Sequence, residues 1–154
     1  MATTSQSAAL TAQDYPDSDG RPVGETPLHF DNLTYLVQML RFRYEHDPQV
    51  YVAGNMFIYY VPGNRWRHVS PDVFVVFGIP KSTTPERRRY LVWEEGKAPD
   101  IVFEMTSEST REEDIDDKMV IYRNLNVREY FLFDPYEHQT GKPECFVNNG
   151  PLRN

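Results

Sequence analysis

Residues 99–135 leave the chain few ways to fold. The run IVFEM at 101–105 is apolar except for Glu104. A polar loop follows, then helical spacing over 111–124, then the apolar run EYFLFD at 129–134, which Pro135 closes. The order is strand, loop, helix, strand. Strand alternation sets Asp100, Val102 and Glu104 on one face and Ile101, Phe103 and Met105 on the other. An ionised glutamate inside an apolar strand is unfavourable unless it is paired or bound to metal. The plainer reading is a glutamate at the strand's exit, where the sheet meets water.

The helix poses a matching question. At about 100° per residue from Ile115, Tyr122 falls near 340°, Lys118 near 300°, Leu125 near 280° and Ile121 near 240°. Lys118 therefore sits within the apolar arc. A lysine there must snorkel, pair or serve a function. One alternative is a rim pair with Asp114, four residues earlier, worth a few tenths of a kcal/mol. Thr110 and Glu113 fit a capping box at the helix start.

A second acid, Asp72, opens the run DVFVVF at 72–77, whose unbroken apolar character suits a strand covered on both faces. Taken alone, a strand-opening Asp after Pro71 is a turn residue. Together, Asp72, Glu104 and Lys118 are more specific. Carboxylates on neighbouring strands can hold a hard cation such as Mg²⁺ or Mn²⁺. Such a cation acidifies a water and neutralises phosphoryl charge, and a lysine adds a donor for developing negative charge. The Met105 carbonyl is a further candidate ligand. The histidines at 29, 46, 68 and 138 lack ligand-like spacing, so no zinc site is assigned.

The remaining chain reads as scaffold. Residues 1–27 are rich in Ser, Thr, Asp, Gly and Pro and are expected to be a disordered or loosely docked arm. Leu33, Leu36, Val37, Leu40 and Tyr44 share one helix face over 29–46, with Asp31 or Asn32 as the cap. Strands are expected at 50–53 and 56–61, with Gly54-Asn55 as a turn or bulge between them. A short edge strand is expected at 90–94, and one more at 145–147. The domain is taken as 28–147, with 148–154 as a tail. The alternating elements give an α/β fold with a mixed sheet.

At 154 residues with a single cysteine, Cys145, the chain is one domain without a disulfide framework, as suits the cytoplasm. No apolar run approaches the roughly 20 residues that span a bilayer, so no membrane partner is expected. The formal charge of −7 argues against a protein that coats nucleic acid. It leaves room for DNA contact through a local patch. The candidates are Arg65 and Arg67, beside Trp66, and the cluster Lys81, Arg87, Arg88 and Arg89; a solvated loop is the plain alternative for each.

Pro71-Asp72 before VFVV, then APDIVFEMTSEST, then the helix with Asp114, Lys118 and Tyr122, then LNVREYFLFDP, resemble the Uma-type (Uma-two) family of restriction endonucleases. That family is a branch of the PD-(D/E)XK nuclease superfamily, and the likeness spans about residues 28–136. The resemblance implies a restriction-endonuclease-like core, a mixed β-sheet flanked by α-helices. It assigns Asp72 and Glu104 to the metal. The superfamily's usual lysine, two residues after the second acid, is here Thr106, and the resemblance makes Lys118 its substitute. Asp114, Thr106 and Tyr122 then support the metal-binding residues. Asn55 stands where relatives often carry an acid. The implied activity is Mg²⁺-dependent (or Mn²⁺-dependent) hydrolysis of DNA phosphodiesters, with a homodimer expected where both strands are cut. The alternative is an inactive nuclease-like module that binds nucleic acid or protein.

Overall fold

The computed structural model describes residues 9–20, 26–105, 113–133 and 144–147. Among them the chain forms an α/β fold around an open, mixed sheet. Helix α1 (Pro27–Arg43) begins at Thr26, whose hydroxyl accepts from the His29 amide at 3.3 Å, with Pro27 at the first helical position. The cap is thus Thr26, not Asp31 or Asn32. Proline has no amide to leave unsatisfied, so the helix starts before the apolar periodicity does.

Strands β1 (Val50–Gly54), β4 (Val73–Phe77), β6 (Ile101–Met105), β7 (Glu129–Phe133) and β8 (Glu144–Val147) form one sheet in the order β1-β4-β6-β7-β8. β4 runs antiparallel to β1 and β6, β7 runs parallel to β6, and β8 is antiparallel to β7. The parallel step needs a crossover, and α3 (Glu113–Asn124) lies within it. A second sheet holds β2 (Ile58–Tyr59), β3 (His68–Val69) and β5 (Tyr90–Leu91), in the order β3-β2-β5.

Two differences from the sequence reading concern this small sheet. The expected strands at 50–53 and 56–61 are not partners, because β1 belongs to the large sheet and β2 to the small one. At 90–94 the strand stops after Leu91 and turns into the short helix α2 (Val92–Glu95). β5 is an edge strand, as expected.

Alternation along β4 explains its apolar run. Val73 and Val75 meet Leu33, Val50 and Val52 under α1. Phe74 and Val76 meet Val102, Tyr122 and Tyr130 under α3. Both faces of the sheet are covered, so the strand has no solvent side. The β6 alternation also holds: Ile101, Phe103 and Met105 face α1, and Val102 faces α3. Ahead of α1, Tyr15 is buried against Tyr59, whose hydroxyl donates to the Pro16 carbonyl at 2.6 Å.

Candidate active site

Asp72 stands just before β4. The register that pairs Val73 with Phe103 sets Asp72 opposite Glu104 on β6. Three contacts fix Asp72. One carboxylate oxygen accepts from the Met105 amide at 2.6 Å, and the other lies 3.1 Å from Nε2 of His29. Its carbonyl accepts from the Asn55 amide at 3.1 Å. An Asp that only made a turn would be solvated; this one is buried.

Gly54 makes the approach possible. A Cβ there would lie 2.8 Å from the Asp72 carbonyl oxygen and 3.1 Å from a methyl of Val37. Backbone oxygen cannot yield as a side chain can, so the position requires glycine. Asn55 follows with φ 48, a left-handed value that Asn tolerates, and the chain leaves β1 for the small sheet.

Glu104 is 5% exposed. Lys118 Nζ lies 3.3 Å from one of its carboxylate oxygens, and the Tyr122 hydroxyl donates to the other at 2.7 Å. Lys118 and Tyr122 are one turn apart on α3, so the register read from the sequence does turn both inward. Burial pushes the Glu104 carboxyl up to about 7. Lys118 pulls it down, nearby Asp72 pushes it further up, and the Tyr122 hydrogen bond lowers it. Burial raises Tyr122 well above its ordinary value, and the negative charge of Glu104 adds to this.

Asp100 shows what a structural acid looks like on the same strand face. It accepts from the Phe77 amide at 2.7 Å and from Lys97 Nζ at 2.8 Å, and its carbonyl takes the Arg128 and Glu129 amides. It ties β4, β6 and β7 together at the end of β6 away from Glu104.

The donor set suits a hard divalent cation. Asp72 and Glu104 offer carboxylate oxygens from adjacent strands; burial, with the nearby Asp72 charge, raises Glu104 by more than Lys118 and Tyr122 lower it. Among the described residues, no group of three His, Cys, Asp or Glu side chains could hold a metal ion. A pair of carboxylates is still a usual protein share for Mg²⁺, which keeps waters and takes substrate oxygens for the rest.

His29 is the site residue that sequence spacing misses. Its partner Asp72 is 43 residues away, and only the seating of the α1 N-terminus against β4 brings them together. The available signal was a polar residue on the apolar face of α1. Thr106 lies outside the described residues, and so does the side chain of Asp114. Met105 is fixed through its amide.

The arginines and lysine divide. Arg65 and Arg67 are exposed in the β2–β3 connection, over Trp66 at 5.2 Å and Tyr60 at 5.9 Å. The other four are engaged within the fold. Lys81 donates to the carbonyls of Tyr44 and Glu45. Arg87 makes a two-pronged pair with Glu95 at 2.6 and 2.9 Å and lies over Tyr51. Arg88 pairs with Asp17 at 2.6 Å, and Arg89 donates to the carbonyls of Ala12 and Tyr15. A cavity of about 630 Å³ runs along β1, lined in part by Arg41, Tyr51, Lys81 and Arg87; Asp72, Glu104 and Lys118 do not line it. No helix among the described residues is long and apolar enough to cross a membrane.

Comparison with known proteins agrees with this architecture. The family model Uma2, described as "Putative restriction endonuclease", matches residues 9–141. Among solved structures, one from Anabaena variabilis, titled as a putative nuclease, is similar with a TM-score of 0.57 at 16% identity. The match covers 80% of this chain and 69% of that one, and at this identity it speaks to the fold alone. No curated protein matches the chain.

Proposed function

We propose, for a chain that belongs to the Uma2 family of restriction-endonuclease-like proteins, that it is a divalent-metal-dependent DNA endonuclease. The observation that carries the reading is a pair of buried acids with a half-buried lysine beside them. Asp72 and Glu104 face each other across β4 and β6, and Lys118 reaches Glu104 at 3.3 Å.

Asp72 and Glu104 would hold the cation. Mg²⁺ or Mn²⁺ bound there supplies an acidified water and counter-charge for a phosphoryl group. The chain's own residues do the rest. His29 and the Met105 amide fix the Asp72 carboxylate, and Tyr122 fixes that of Glu104. Lys118, partly open to solvent, would donate to a phosphate oxygen as negative charge grows on it. In the hydrolysis a water oxygen bonds to phosphorus, the bond from phosphorus to the leaving deoxyribose oxygen breaks, and that oxygen takes a proton. Arg65 and Arg67 would contact the phosphate backbone, which positions a duplex without reading its sequence.

A second reading has its own support. Both Glu104 oxygens already have partners, Lys118 and Tyr122, as a nuclease-like module without catalysis would also arrange. Supercoiled plasmid with Mg²⁺ separates the two. The endonuclease nicks or linearises it, and Glu104→Ala does not. Equal cleavage by both, or none by the wild type with Mg²⁺ or Mn²⁺, defeats the proposal.

A further inference from the structure

Helix α1 carries a second apolar face that nothing described in the fold covers. Counting about 100° per residue from Leu28, Asn32 lies near 40°, Met39 near 20°, Tyr35 near 340° and Phe42 near 320°. These residues lie within one narrow stripe. The core-facing set Leu33, Leu36, Val37, Leu40 and Tyr44 lies on another side of the same helix and packs under the sheet. Along the outer stripe Leu28 is 44% exposed, Tyr35 66%, Met39 47% and Phe42 74%. A helix that is apolar on two faces is usually covered on both.

We infer that this stripe is the self-association surface of the protein, and that its occupant is α1 of a second copy in an antiparallel two-fold pair. The spacing fits a helix–helix seam: Leu28, Tyr35 and Phe42 are seven residues apart, and Asn32 and Met39 fall between them at the three–four alternation. A two-fold interface must match itself. A stripe centred on Tyr35, with apolar residues on both sides, does so.

Area agrees. With about 150–250 Å² for each aromatic side chain and somewhat less for Leu and Met, the stripe offers on the order of 450 Å² per copy. Two copies and their polar flanks would bury about 1,000 Å², near the lower limit for a specific interface and in the range of weak, reversible pairs.

Charge selects the orientation. Arg41 and Arg43 stand in the last turn of α1; Arg41 turns away from the stripe to the Val52 carbonyl, which leaves Arg43 beside it. A parallel pair would set Arg43 beside Arg43. An antiparallel pair holds the two Arg43 side chains at opposite ends of the seam and opposes the helix dipoles. The inference does not depend on the nuclease reading. If both hold, the two-fold supplies two sites to one duplex.

Sedimentation of the full chain between about 1 and 100 µM tests it, a span suited to a micromolar pair. The wild type is expected to pass from monomer to dimer. Tyr35→Glu with Phe42→Glu should weaken association at least tenfold and leave the circular dichroism unchanged, since both positions are exposed. Orientation is read by disulfide formation in a Cys145→Ser background. Leu28→Cys mixed with Phe42→Cys should cross-link between the two variants, and each alone should not. A wild type that stays monomeric throughout overturns the inference. So does a dimer that the double glutamate variant leaves intact, or cross-linking of each single variant with itself.

Discussion

Replacing Glu104 with glutamine should stabilise the metal-free protein, and only at the upper end of the pH range. The carboxyl is raised from 4.5 in a free side chain to about 7 in the fold, chiefly by burial. Each unit between those values is about 1.36 kcal/mol, so holding Glu104 ionised in the fold costs roughly 3 kcal/mol relative to the unfolded chain. The folded protein binds this proton more tightly than the unfolded one. The stability associated with it is therefore fully present below about pH 4.5 and is lost as pH rises through about 7. The substituted glutamine would resemble the protonated acid: it is neutral and can still accept from the Tyr122 hydroxyl. Urea unfolding in EDTA, for wild type and Glu104→Gln at about pH 4.5 and pH 8, measures the effect. The gain from the substitution should be larger at the higher pH by roughly 3 kcal/mol, and titrating groups remote from Glu104 cancel in the comparison. A gain that is the same at both pH values would mean that the fold does not raise the Glu104 carboxyl.

Gly54→Ala forces a methyl to 2.8 Å from the Asp72 carbonyl, and should destabilise the fold by about 2 kcal/mol in the same unfolding assay. Arg65→Ala with Arg67→Ala should weaken DNA binding and lower the slope of log affinity against log salt by about 2, measured by fluorescence anisotropy. Asn55→Asp, at a backbone angle that Asp also adopts, adds an acid beside the Asp72 carbonyl; tighter Mn²⁺ binding is expected in calorimetry.

The parts of this molecule that sequence revealed are those fixed by local periodicity. Alternation of two told which side of β6 Glu104 would take, and a period of 3.6 turned Lys118 and Tyr122 inward with it. The apolar run at 72–77 announced a strand buried on both faces, and the two helices cover it. What was not legible depends on distant chain. His29 looked like an isolated histidine because Asp72 lies 43 residues on. The strands flanking Gly54-Asn55 were expected on either side of a turn or bulge, yet they belong to different sheets. They separate because Gly54 is pressed against the Asp72 carbonyl and Asn55 takes a left-handed angle, a steric fact of the assembled sheet. The basic run near Arg87 declared its charge but not its partners, and Glu95, Asp17 and the carbonyls near Tyr15 take up much of it. The outer stripe of α1 was present in the sequence too, yet only the packed helix shows which apolar face remains open.

Whether Asp72 and Glu104 jointly hold a divalent cation is the claim on which the functional account stands, and a calorimetric titration with Mn²⁺ at about pH 7.5 addresses it without reference to substrate. The wild type should bind saturably at one site and release only a fraction of a proton, since a carboxyl at about 7 is mostly ionised at that pH, with binding lost in both Asp72→Asn and Glu104→Gln. Heats indistinguishable from dilution in the wild type, or binding that survives both substitutions, would contradict it.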